Sequence, residues 1–281
     1  MNPRRLAGVL ALSIVVGACS SNVPPRPSAT PPTSSDVASG PTGSTAPASP
    51  APGSAEAARQ RLCRQPPLPP PSRGSAEGPT PKAISAVEQA VEKIRALHYE
   101  EPVVPDAVTH EVLARRLRRS FERSFPIGLY RRRSLAWQTI GVIPDGTSIR
   151  GALERFFSTQ VIGYYDASTG QLVFIGTKHP SPTEQVTLAH ELTHALDDQH
   201  YDLTRLDRLS AACRDEQATA ALALIEGDAT YVMLQYARTD LTPEQQVQVA
   251  LGAGSGPSTA GIPPFIVAEE QWPYSAGLAF I

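Results

Sequence analysis

Apolar residues recur at helical intervals from Ile84 onward, a pattern that the first eighty residues lack. Ile84, Val87, Val91, Ile94 and Leu97 predict a helix, and Thr80-Pro81 ahead of them supplies a cap with proline at the first helical position. Val108, Leu113, Leu117 and Phe121 predict a second helix over 106–124, and a third is expected over 149–157. The pattern then changes. Val161-Ile162-Gly163-Tyr164-Tyr165 and Gln171-Leu172-Val173-Phe174-Ile175 are β-rich runs separated by the turn-forming Asp166-Ala167-Ser168-Thr169-Gly170, which predicts a hairpin. Ser181-Pro182-Thr183-Glu184 has the form of a capping box that opens another helix, with Val186, Ala189, Thr193 and Leu196 as its inner surface. A long helix is expected over 215–237. The fold class that follows is α+β and mainly helical, with a β-hairpin before the capped helix, over a domain at 81–281.

The preceding segment has another character. Of the 28 prolines, 16 fall between Ser20 and Pro81, among Ser, Thr, Ala and Gly and with almost no large apolar side chains. Such a stretch buries too little surface to offset its ordering entropy, so 19–80 is read as a disordered tether that spaces the domain from its anchor. Residues 1–18 read as an export signal. Arg4 and Arg5 precede a short apolar run, and Val16-Gly17-Ala18-Cys19 resembles the bacterial lipobox, which implies lipidation at Cys19. The expected location is the extracytoplasmic face of a bacterial membrane. That compartment is oxidising, so the two remaining cysteines, Cys63 and Cys213, are expected to form a disulfide. The net charge of −2 carries no basic excess and excludes nucleic acid as an expected partner. The arginines of the second predicted helix, Arg115, Arg116, Arg118, Arg119 and Arg123, and of Arg131-Arg132-Arg133 beyond it, read as a solvated face.

The capped helix carries the chemistry. His190 and His194 stand four residues apart, so one helix face presents both imidazoles to a single metal ion. Glu191 follows the first of them, where a carboxylate can take a proton from an attacking water as general base.

His190-Glu191-Leu192-Thr193-His194 resembles the motif of the HExxH zinc metallopeptidases, in the form (HELTH) that thermolysin-like enzymes use. The longer run His190 to His200, with Glu226-Gly227-Asp228-Ala229 later, looks like a group of bacterial secreted proteins related to them. The resemblance implies a zincin-like domain, Zn2+, hydrolysis of peptide or protein substrates and an extracytoplasmic site. Three residues compete as third ligand. Glu226 is followed by small residues, similar to the third-ligand helix of glutamate-zincins, where they let that helix approach the HExxH helix. His200 has the spacing of the metzincin motif, but Asp197 occupies the position where that family has a turn-permitting glycine. Glu216 has the shorter separation of thermolysin-like enzymes without the local motif. Glu226 is preferred, which makes His190, His194 and Glu226 the metal set and Glu191 the catalytic residue.

Asp198 or Asp228 is a candidate to orient an imidazole, with a solvated carboxylate as the alternative, and Tyr231 or His200 to stabilise an oxyanion. The final run from Pro273 to Ile281 reads as the start of an apolar helix without a polar end, as if a wall of the substrate cleft continued beyond it. The competing expectation is a non-catalytic envelope lipoprotein with a structural or vestigial zinc site.

Overall fold

The computed structural model describes residues 81–124, 127–253 and 258–281, together with 53, 54 and 57. The signal, Cys19, Cys63 and nearly all of the tether therefore lie outside the described residues. Cys213, with a backbone φ of 49°, is disulfide-bonded.

In chain order the elements are α1 (Lys82–Arg95), β1 (Asp106–Val108), α2 (His110–Ser124), α3 (Ile127–Thr139), α4 (Ile149–Gln160), β2 (Gly163–Asp166) and β3 (Gln171–Ile175). They continue as α5 (Pro182–Tyr201), α6 (Thr204–Ala211), α7 (Asp215–Thr239), α8 (Pro243–Ala253) and α9 (Pro264–Phe280). The fold is mainly helical α+β, as expected. Among the described residues no helix is long and apolar enough to cross a membrane.

Several boundaries differ from the sequence reading. The second helix begins at His110, because Asp106–Val108 is a short strand instead. It pairs parallel to β3, with Ala107 opposite Phe174, and β2 pairs antiparallel on the other side, with Tyr164 opposite Val173. The sheet order is β1-β3-β2. α1 is capped at Pro81 rather than Thr80, without a side-chain bond. Helices α3, α6 and α8 had no expectation, and α9 begins well before Pro273, which it contains.

The sheet separates two apolar clusters, and the two-residue period of a strand assigns its side chains between them. Tyr165, Leu172 and Phe174 join Ile84, Val91, Leu188, Leu192, Leu196 and Val232 of α1, α5 and α7. Tyr164 and Val173 join Leu113, Ile149, Phe156, Ile266 and Tyr274 of α2, α4 and α9. The capping box at α5 forms as expected: the Ser181 hydroxyl accepts from the Glu184 amide, and the Glu184 carboxylate accepts from the Ser181 amide at 2.6 Å. Instead of showing one inner face, α5 is buried all round from Thr187 to Asp198. Part of the arginine-rich surface is paired, with Arg116 on Asp106 at 2.7 Å and Arg133 on Asp215 at 2.8 Å.

Candidate metal centre

α5 presents His190 and His194 one turn apart, and α7 lies alongside with Glu226 facing them. The Nε2 atoms of His190 and His194 are 3.1 Å apart, and Glu226 Oε2 lies 3.1 Å from the first and 3.4 Å from the second. The rings meet edge to face at 4.7 Å between centroids. All three side chains are buried, with 2% exposure or less.

Each Nε2 carries one proton or one lone pair, so separate hydrogen bonds cannot fill all three edges of this triangle. If both nitrogens donate to Glu226, two N–H groups face each other at 3.1 Å. If His194 donates to His190, then the lone-pair side of His190 is engaged and cannot also donate to the carboxylate. A cation at the centre resolves all three edges. Ligand atoms about 2.0–2.1 Å from a common centre in tetrahedral array lie about 3.3 Å apart, which the observed triangle fits. His190, His194 and Glu226 can therefore hold a metal ion, and they are the group of potential ligands that converges among the described residues.

Burial pushes the Glu226 carboxyl up, but the charge and hydrogen bonds of His194 and His190 outweigh it and leave its pKa at about 2. Glu226 is thus ionised at neutral pH. Glu191, beside the first histidine, is fully buried. Edge strand β2 comes close to it: a Cβ added to Gly163 would stand 3.4 Å from Glu191 Cγ and 3.3 Å from Thr187 Cγ2.

The rival ligands lie elsewhere. α5 continues as helix through Asp197 to Tyr201, without the turn that would swing His200 towards the triangle, and His200 Nε2 instead bonds the His98 carbonyl at 2.9 Å. Glu216 is exposed in the first turn of α7. Nor do the expected orienting carboxylates reach the imidazoles, since the Nδ1 atoms of His190 and His194 have no hydrogen-bond partner among the described residues. Asp198 accepts from the Tyr165 hydroxyl at 2.7 Å and the Leu203 amide at 2.9 Å, tying α5 to the sheet and to the next helix. Asp228 pairs with Arg95 at 3.0 Å. Tyr231 is 40% exposed.

Tyr274 of α9 was not anticipated. It is 3% exposed, stacks on His190 at 6.0 Å with 23° between ring planes, and hydrogen-bonds Glu226. Burial pushes its phenol well above the usual tyrosine range, and the Glu226 and Glu191 carboxylates add to this, so it stays a protonated donor. The sequence signal was the pair Gly227 and Gly277. A Cβ on Gly227 would lie 2.2 Å from the Gly277 backbone, and one on Gly277 would lie 1.7 Å from the Ala223 carbonyl oxygen. The small residue after Glu226 therefore admits α9, rather than bringing α7 towards the HExxH helix.

No protein-family model, no curated protein and no solved structure matches the chain.

Proposed function

We propose that the chain is a zinc-dependent metallopeptidase with a zincin-like domain, lipid-anchored through Cys19 and acting on peptides or proteins outside the cytoplasm. The observation that carries the reading is the buried triangle of His190, His194 and Glu226, with Glu191 next to the first histidine on the same helix. Two imidazoles and a carboxylate suit zinc and leave a coordination position for water or substrate. Zinc held there would supply Lewis acidity, polarising a scissile carbonyl and making water more acidic.

The protein's own contributions are three. His190, His194 and Glu226 fix the ion from two helices. Glu191 takes a proton from the attacking water at its carboxylate and hands it to the leaving amine nitrogen. Burial keeps the surroundings at low dielectric, which strengthens each charge interaction during the reaction. Because Glu191 is buried, a substrate carbonyl reaches it only if the side chains covering the centre shift on binding.

That burial is also the observation favouring the second reading, a non-catalytic envelope lipoprotein with a structural zinc. Glu191→Gln separates the two. For the peptidase, the variant retains near-stoichiometric zinc while peptide hydrolysis falls by about 10²–10⁴. Wild type that binds zinc and cleaves nothing in a broad peptide library supports the structural site.

A further inference from the structure

Three elements surround the centre: α5 with both histidines, α7 with Glu226, and α9 with Tyr274. Tyr274 touches two of the three ligands. Its ring lies nearly parallel to His190, and its hydroxyl hydrogen-bonds Glu226. A buried glutamate has three side-chain torsions, and its carboxylate can swing unless something restrains it. Oε2 is the oxygen facing both imidazoles, at 3.1 and 3.4 Å. Among the described residues, the donors seen on Glu226 are these imidazoles and Tyr274.

Resting on the zinc reading above, we propose that Tyr274 is the positioning residue of the centre, holding the Glu226 carboxylate and the His190 ring in their metal-binding orientations from the third helix. The Gly227–Gly277 crossing is the device that delivers it. Tyr274 and Gly277 are three residues apart on α9, so they share a face, and Gly227 directly follows Glu226 on α7. Where the glycines meet backbone to backbone, the phenol falls beside the carboxylate. The hydroxyl acts through the ligand, as outer-shell donors to metal-binding carboxylates do, and such donors typically change metal affinity by about 10–100-fold.

The test is zinc affinity of the full chain, measured by competition with a chelator, together with the visible spectrum of the cobalt(II)-substituted protein. Tyr274→Phe keeps the ring and its stacking but removes the donor. The expected result is an approximately tenfold or greater rise in the zinc dissociation constant and a changed cobalt spectrum. Tyr236→Phe is the control. Tyr236 is equally buried, and its hydroxyl bonds Gln185 at 2.9 Å instead of a ligand, so its loss should leave affinity and spectrum as in wild type. Wild-type affinity and an unchanged spectrum in Tyr274→Phe would overturn the proposal and leave the zinc reading standing. Wild type that takes up no zinc would overturn both.

Discussion

Arg95 of α1 donates to Asp197 of α5 at 2.9 Å, one turn beyond the second histidine of the triad. Its Nε stands 3.0 Å from Asp228, two residues beyond Glu226 on α7. One guanidinium thus fastens the helices that carry the histidine pair and Glu226 to a third. Asp197 is 6% exposed at its side chain and Arg95 22%, so the pair is screened only in part.

Removing the arginine leaves two carboxylates facing each other without a cation. Breaking a buried pair costs about 3–5 kcal/mol, and the partial exposure of Arg95 brings the expectation nearer 2–3 kcal/mol. At about 2–4 °C per kcal/mol for a domain of this size, Arg95→Ala should lower Tm by about 5–10 °C. Arg95→Lys should fall between, because a single ammonium lacks the fork that reaches both partners. Thermal melts of the metal-free protein check this, and an unchanged Tm for Arg95→Ala would refute it.

Ligand assignment is read from zinc content across two variants. Glu226→Ala should lose bound zinc, leaving two imidazoles in a buried site. His200→Ala should keep it, since that ring bonds the His98 carbonyl well away from the triangle. Zinc lost from His200→Ala and retained by Glu226→Ala would reverse the assignment.

Zinc removal should lower Tm, because an ion that binds only the folded chain stabilises it by mass action, by about 2.7 kcal/mol at a hundredfold excess over its dissociation constant. The same titration on Glu191→Gln should give a shift of the same size, since Glu191 is assigned to water and not to the ion. Calorimetry with and without chelator measures both.

Glu270 lies half-buried on α9, one turn before Tyr274. Burial, with Glu269 adding to it, pushes its carboxyl from 4.5 up to about 8. A folded-state value above the unfolded one means that folding favours the protonated acid. The penalty is absent below about pH 4.5, grows through the interval and is complete above about pH 8. Glu270→Gln should therefore raise Tm at pH 8.5 and leave it nearly unchanged at pH 4. A variant that stabilises equally at both values would refute the account.

Short-range signals in the sequence were enough for some elements and too weak for others. The capping box and the histidine pair depend on residues within four positions of one another and the hairpin on residues within eleven, and the structure contains all of them. β1 is three residues long and exists only because β3, more than sixty positions later, offers it a parallel partner. The role of His200 turned on whether the backbone bends at Asp197. It stays helical there, and its carboxylate is engaged by Arg95 from a hundred residues away. Tyr274 gave no local sign, since a tyrosine in an apolar helical run reads as core. Its place was set by two glycines fifty positions apart, each unremarkable until the other helix is known.

The alternation of side chains along β3 has a consequence for how the molecule opens. Leu172 and Val173 are neighbours in sequence yet belong to different cores, as do Tyr164 and Tyr165 on β2. Either cluster can loosen while the other still holds the same backbone hydrogen bonds in place. The amides at the centre of β3 should then exchange with solvent deuterium only when both cores are lost together, and so report the free energy of global unfolding. Amides of α1 and α2, each dependent on one core, should exchange through smaller and separate openings.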